Sequence, residues 1–100
     1  MSGKKTFEPL DPPPATLKDG GQEIFRAVII DGALHVSLRR SFDDPGSWGI
    51  LLTDIARHAA RIYEAEEVMS FEQALKRIDT LYVAERDRPT DMGTTGKVRH

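Results

Sequence analysis

The sequence predicts a small α+β domain in which a β-hairpin is followed by two antiparallel helices (ββαα). Three observations predict this fold. An Asp31-Gly32 pair separates two runs of alternating residues, 24–30 and 33–39. Apolar residues then recur every three or four positions over 45–66, and again over 71–88. One domain is expected for 100 residues. It spans 23–88, after an extended Pro-rich arm (1–22) and before a flexible C-terminal tail (89–100).

The hairpin follows from the turn chemistry of Asp31 and Gly32. A two-residue type I′ turn needs positive φ at both central positions, and Asp-Gly is among the pairs that adopt it most readily. The predicted pairing opposes Phe25 and Leu38, Ala27 and Val36, and Ile29 and Leu34, which together form an apolar sheet face. The mixed sheet face carries Ile24, Arg26, Val28, Ile30, Ala33, His35, Ser37 and Arg39. We expect the apolar sheet face to pack against the helices.

Capping residues delimit both helices. Asp44 before Pro45 predicts an N-cap with proline at the first helical position. Ser70 with Gln73 predicts a capping box, and Pro89 ends the second helix. The short link between the helices predicts that they are antiparallel neighbours. The apolar stripe of the first helix contains Trp48, Leu51, Leu52, Ile55, Ala56, Ala59, Ile62 and Tyr63; that of the second contains Phe71, Ala74, Leu75, Ile78, Leu81 and Tyr82.

The two ends of the chain are predicted to be peripheral. Prolines at 9 and 12–14 disfavour helix in the arm, which either packs as a stiff segment or offers a recognition segment to a partner. Because an isolated hairpin has two open edges, three arrangements are possible. The arm covers the hairpin, two copies pair, or the mixed sheet face meets a partner; a monomer with one wet face is the alternative.

Composition excludes several classes of function. The net charge of −2 and the pI near 5.9 give no general attraction to nucleic acid or to anionic lipid. The absence of cysteine excludes disulfides, thiolate nucleophiles and cysteine metal sites. No apolar run is long enough to cross a bilayer or to act as a secretory signal. We therefore expect a cytoplasmic protein with neither a nucleic-acid partner nor a membrane association.

The strongest candidate ligand site is the polar side of the first helix. Asp54, Arg57, His58 and Arg61 are spaced three and four residues apart, so their side chains can touch. Arg57 and Arg61 form a like-charge pair that an anionic ligand would relieve. The alternative is a solvated surface on which Asp54 and Glu64 neutralise the arginines. Asp54 and His58 could also act as an acid–base pair, but no nucleophile motif accompanies them, and no catalytic residue is assigned.

Two further candidates are weaker. His35 has no accompanying metal-ligand pattern, so neither a metal nor a cofactor is predicted. Arg26, Arg39 and Arg40 could form a basic rim for an anion. Asp43 and Asp44 would repel that anion from the helix N-terminus, and no glycine-rich phosphate loop is present.

Several segments resemble a family of short uncharacterised bacterial proteins, mainly alphaproteobacterial. They are 25–32 (FRAVIIDG), 34–40 (LHVSLRR), 42–45 (FDDP), Trp48-Gly49, 54–58 (DIARH), and the tail from Pro89-Thr90-Asp91 through Gly93-Thr94-Thr95. The resemblance implies a small cytoplasmic bacterial protein containing a domain of unknown function. It implies no catalytic or binding residue.

The leading functional hypothesis is a non-enzymatic protein-interaction module that acts as a homodimer. The second is a small anionic-ligand-binding protein or enzyme that uses Asp54, Arg57, His58 and Arg61 on the polar side of the first helix. Nucleic-acid binding ranks third.

Overall fold

The computed structural model describes residues 5–90 and 94–97. Its elements are α1 (Ala15–Asp19), β1 (Phe25–Ile30), β2 (Ala33–Leu38), α2 (Gly46–Ala65), α3 (Phe71–Asp87) and β3 (Thr94–Lys97). An antiparallel hairpin is followed by two long helices, which confirms the predicted ββαα arrangement. None of the helices within these residues is long and apolar enough to cross a bilayer.

The hairpin has the predicted turn and register. Asp31 and Gly32 have φ values of 50° and 81°, as a type I′ turn requires. Phe25 pairs with Leu38, and Ile29 pairs with Leu34. The turn therefore sorts the flanking side chains into the two faces that the sequence predicts.

A third strand joins the hairpin from the predicted tail. β3 runs parallel to β2, from His35 opposite Thr94 to Leu38 opposite Lys97, so the strand order is β1-β2-β3. The tail thus differs from a wholly flexible segment, and one of the two hairpin edges expected to be open is covered. The sequence did not show this because strand pairing uses main-chain groups, and the four residues TTGK have no apolar alternation.

Local capping starts both long helices. The Asp44 carboxylate accepts the Gly46 N–H at 2.8 Å, and α2 begins one residue later than predicted because Pro45 occupies the cap position. The Ser70 hydroxyl accepts the Gln73 N–H at 3.1 Å while the Gln73 side chain accepts the Ser70 N–H at 3.0 Å, which confirms the capping box. The Glu64 carboxylate accepts the Phe71 N–H at 3.0 Å. The end of α2 thus lies beside the start of α3, as antiparallel packing requires.

The two helices meet through small residues of α2. Gly49, Thr53 and Ala56 face Phe71, Leu75 and Tyr82 of α3, and Ala60 and Ala74 are the two buried apolar residues in the described chain. Positions 49, 53, 56 and 60 lie on one side of a helix. Most of the large stripe of α2 lies on a different side, because Ile55 and Ile62 are exposed and do not line the interface. Of the predicted stripe, Leu52 and Ala56 line the groove against α3, whereas Ile55 and Ile62 do not.

The expectation that the apolar sheet face packs against the helices of the same chain is wrong. Among the described residues, no Cα of the three strands lies within 8 Å of a Cα in α2 or α3. Ala27, Ile29 and Leu34 are exposed, and Ile29 has 66% of its surface accessible. Phe25, Val36 and Leu38 of the same face are half-buried. The end of the hairpin at the Asp31-Gly32 turn is therefore the part of the apolar sheet face that the described chain leaves uncovered.

The connection between the sheet and the helix pair, residues 39–45, forms an elbow with its own contacts. The Arg39 N–H donates to the Ile24 carbonyl at 2.9 Å, which extends the hairpin ladder by one step. Ser41 has a positive φ of 63°. The Trp48 indole N–H donates to the Arg40 carbonyl at 2.9 Å, and its ring meets Phe42 edge-on with centroids 5.6 Å apart. These contacts fix the direction in which the chain leaves the sheet.

The arm differs from a purely extended segment in one place. The short helix α1 follows Pro13 and Pro14, whose carbonyls accept the N–H groups of Thr16 and Leu17. Proline is tolerated there because the first turn of a helix needs no N–H from it. Phe7 lies against the Arg26 guanidinium at 5.5 Å, so the arm contacts the mixed sheet face.

We expect Gly32→Ala to lower the free energy of unfolding by about 1–2 kcal/mol, because alanine is strained at positive φ. Gly49→Ala is the matched control. Gly49 lies within α2 and a Cβ added there meets nothing within 4 Å, so this change should raise stability by about 0.5–1 kcal/mol. Urea unfolding of both variants measures the difference, and equal effects at the two glycines would contradict the turn assignment.

Two hydrogen bonds to one carboxylate hold the chain just after the C-terminal end of α3. Both the hydroxyl and the N–H of Thr90 donate to the Glu85 carboxylate, each at 2.6 Å. The hydroxyl, and after it the N–H, lowers the pKa of the Glu85 carboxyl below its ordinary value of 4.5. A depressed carboxyl pKa contributes stability above the unfolded-state pKa, and that contribution is lost as the pH falls through the folded-state pKa.

We expect Glu85→Gln to lower the melting temperature at pH 7, with the gap to the unmodified protein closing as the pH falls below 4.5. Thermal unfolding at pH 7 and at acid pH measures the gap. Glu8→Gln in the arm is the matched control and should leave the melting temperature unchanged at both. A gap at Glu85 that persists at acid pH would show that the carboxylate charge is not what the two Thr90 donors stabilise.

Candidate functional site

The four predicted ligand residues lie on one exposed side of α2. Asp54, Arg57, His58 and Arg61 are all exposed, and positions 54, 58 and 61 follow one another along the helix, with position 57 beside them. Spacing in the sequence was sufficient to place them together.

Within this cluster, the two arginines have separate partners. Arg57 Nη1 lies 3.4 Å from Asp54 Oδ1, in an exposed ion pair. Arg61 Nη1 lies 3.4 Å from His58 Nδ1, and its guanidinium stacks 6.0 Å from the centre of the Phe71 ring. Asp54 offsets the charge of Arg57, which eases the predicted repulsion between the arginines. An anion at this surface would compete with Asp54 for Arg57 in well-hydrated surroundings, where such pairs contribute little.

The four side chains divide between two open clefts. Asp54 and His58 line a cleft of about 480 Å³ beside the elbow, together with Phe42, Ser47, Ile50, Leu51 and Ile55. Arg57 lines a larger groove of about 540 Å³ between α2 and α3. The cluster therefore does not converge on one pocket.

The interhelical groove is the larger concave surface, and sequence reasoning did not find it. Its apolar lining is Leu52, Ala56, Phe71, Leu75, Ile78 and Tyr82, and Arg57, Glu72, Lys76 and Asp79 supply its charges. The sequence assigned most of these apolar residues to a closed core. The sequence signal that could have revealed the groove is the pair of small residues Gly49 and Ala56 on α2. Their side chains are too short to fill the space between the two helices.

The weaker candidates are held in local contacts. Arg26 pairs with the Glu23 carboxylate at 3.1 Å, and Arg39 Nε donates to the Glu23 carbonyl at 3.0 Å. Arg40, expected towards the core or past the strand end, forms an exposed ion pair with Asp43 at 3.5 Å. His35 is half-buried in β2. Within residues 5–90 and 94–97, no group of three His, Cys, Asp or Glu side chains could hold a metal ion.

An acid–base role for Asp54 and His58 has no geometric support among the described contacts. The side-chain partner of Asp54 is Arg57, and that of His58 is Arg61. The nearby Thr53 hydroxyl donates to the Gly49 carbonyl at 2.9 Å. A nucleophile, its base and an orienting group would be linked by hydrogen bonds, and these three side chains are not.

The comparisons with known proteins agree with the resemblance seen in the sequence. A family model described as Domain of unknown function (DUF5076) matches residues 9–90. The chain belongs to this family. The family description names no activity, substrate or partner, and no curated protein matches the chain.

A solved structure of similar length also matches. It is described as "a putative pyruvate dehydrogenase" from the photosynthetic bacterium Rhodopseudomonas palustrus. The two sequences are 43% identical, the match covers 99% of this chain and 100% of the other, and the TM-score is 0.67. The similarity therefore extends over the sheet and the helices and is not confined to one of them.

Proposed function

We propose that this member of the family is a non-enzymatic protein-interaction module that works as a homodimer, in the cytoplasm of a bacterium. The observation that carries the proposal is the exposure of its apolar side chains. Ala60 and Ala74 are the only buried apolar residues in the described chain, whereas fifteen large apolar side chains are exposed. They include Ile29 and Leu34 on the sheet and Leu52, Ile55 and Ile62 on α2.

The dimensions of the chain support the same conclusion. A folded monomer of 11.2 kDa has an accessible surface of about 5,700 Å² by the usual size scaling. This chain has 9046 Å², an excess of roughly 3,300 Å², to which the exposed arm over residues 5–15 also contributes. Its radius of gyration is 16.0 Å, against about 13 Å for a compact domain of 100 residues. Obligate homodimers bury roughly 1,000–2,500 Å² per subunit, so the excess is large enough to supply such an interface.

The positions of the exposed apolar residues favour an interface over a loosely packed monomer. Exposed apolar residues are scattered on ordinary monomers, but on α2 Leu52, Ile55, Ile62 and Tyr63 follow the helical period. On the sheet, Ile29 and its cross-strand partner Leu34 are exposed side by side on the apolar sheet face. Periodic apolar faces are those that a folded protein buries. Twofold dimers are the commonest soluble assemblies, which makes a second copy the simplest cover.

A purely catalytic role has less support. The two clefts described above are open to solvent, and neither would shield a reacting group from water. The activity named in the description of the Rhodopseudomonas protein is therefore not proposed for this chain.

We expect the unmodified protein to sediment as a dimer and Ile62→Asp to weaken dimerisation at least about 100-fold, because the variant puts a charge into a dry interface. Ile62 has 55% of its surface accessible in the single chain. Sedimentation velocity over a dilution series measures the dissociation constant.

Thr80→Asp is the matched control, since it adds the same charge at an exposed position of α3 outside the groove. It should leave the dimer intact, and circular dichroism verifies that both variants keep their helices. An unmodified protein that sediments at 11.2 kDa, or equal effects of the two substitutions, would contradict the proposal.

A second candidate function is binding of a small anion at the polar side of α2. It is favoured by one observation: Arg57, His58 and Arg61 project from the same exposed side of the helix. Guanidinium groups grouped in this way suit phosphate or carboxylate ligands.

For this second function we expect inorganic phosphate to raise the melting temperature, and Arg61→Gln to abolish that rise. Arg77→Gln, a neutralisation at an exposed position of α3, should preserve it. Differential scanning fluorimetry at constant ionic strength, with chloride replacing phosphate in a parallel series, separates binding from screening. Equal shifts in phosphate and chloride would exclude an anion site.

A further inference from the structure

We infer that the dimer forms by reciprocal exchange: the apolar sheet face of each copy packs on the α2 stripe of the other. This inference rests on the proposed homodimer and names the two surfaces that meet. The occupant of each bare face is a second copy of this chain. The second copy places its sheet on the α2 stripe of the first copy, and its α2 stripe on the sheet of the first copy.

The first step is that both layers of a two-layer fold are present and each exposes part of its apolar surface. Phe25, Val36 and Leu38 of the apolar sheet face are half-buried. Ala27, Ile29 and Leu34 of the sheet are exposed, as are Leu52, Ile55 and Ile62 of α2. A sheet that is apolar on one face and helices that are apolar on one side normally bury those surfaces against each other. The sequence contains both halves of that arrangement, and the single chain does not bring them together.

The second step concerns the elbow. The Trp48 indole N–H bond to the Arg40 carbonyl and the Phe42–Trp48 ring contact tie the elbow to the start of α2. The Arg39 N–H bond to Ile24 ties its other end to the sheet. With both ends held, no Cα of the sheet lies within 8 Å of a Cα in α2 or α3 among the described residues. Exchange between copies leaves the elbow contacts in place.

The third step is the match in size and charge. Each hairpin strand has six residues, or about 20 Å. The large residues of the stripe run from Leu51 to Ile62, or about 17 Å along the helix axis. The six residues of the apolar sheet face include no charged side chain. On α2, Asp54 lines the cleft beside Leu51 and Ile55 and is paired with Arg57, so this carboxylate keeps its partner at the edge of the contact. One twofold axis then covers both faces of both copies, which is the geometry of an exchanged dimer.

Engineered cysteines test the arrangement cleanly, because the natural chain has none. Ala27→Cys labels the apolar sheet face and Ala59→Cys labels the α2 stripe, and both changes are small. The two variants are mixed, unfolded, refolded together and treated with a short bismaleimide. We expect crosslinked dimers in the mixture that contain one copy of each variant, and few crosslinks when either variant is treated separately.

Ser37→Cys with Ala59→Cys is the matched control, because Ser37 lies on the mixed sheet face and should give few crosslinks. Crosslinking of Ala27→Cys with itself, or of Ala59→Cys with itself, would overturn the exchange and indicate that like faces meet. A chain carrying both Ala27→Cys and Ala59→Cys that crosslinks internally at high dilution would show closure within one chain.

The fate of the homodimer proposal is measured separately, by sedimentation of the unmodified protein. A dimer in which identical positions crosslink would contradict the exchange but agree with the homodimer. A monomer would contradict both proposals. If Ala27→Cys or Ala59→Cys loses its circular dichroism signal, Leu34→Cys and Ile55→Cys label the same two faces and carry the same expected outcomes.

Discussion

The hydrogen bond from the Trp48 indole to the Arg40 carbonyl is the contact on which the arrangement of the molecule depends. It joins the end of the hairpin to the first turn of α2, and the edge-on contact between Phe42 and Trp48 supports it. The main chain passes through Ser41 at positive φ, which is uncommon for a residue other than glycine. This short connection links a sheet and a helix pair that have no Cα atoms within 8 Å of each other among the described residues. The exposed apolar side chains on both layers are the basis of the proposed homodimer.

Turns and helix caps could be predicted from the sequence because they depend on neighbouring residues. The packing partners of the helices and the third strand could not, because they depend on contacts between distant elements. The Asp31-Gly32 turn fixed the register, and Ser70 with Gln73 fixed the start of α3, because each depends on a few neighbouring residues. Periodicity identified the apolar stripe of α2 but not its partner. A hydrophobic scale gives little weight to Gly49 or Ala56, and these small residues line the open groove between α2 and α3. β3 pairs through its main chain, which leaves a weak trace in four residues of sequence.

The candidate site shows the same division. Spacing of three and four residues was enough to place Asp54, Arg57, His58 and Arg61 together, because an α-helix converts those intervals into one surface. The pairing of Arg57 with Asp54 follows from the same rule. The separation of the cluster into two clefts does not, since one cleft needs α3 and the other needs the elbow. The geometry of a surface between elements depends on contacts that no single element encodes.

The parallel pairing of β2 with β3 has a consequence for how the chain is made. His35 and Thr94 are partners in the sheet, yet both long helices lie between them in sequence. During translation the hairpin is made before β3, so the outer edge of β2 has no partner until residues 94–97 have been synthesised. Contacts between such distant positions form slowly. A chain lacking residues 94–97 would therefore keep α1, α2 and α3 but leave the β2 edge open to pairing with other chains.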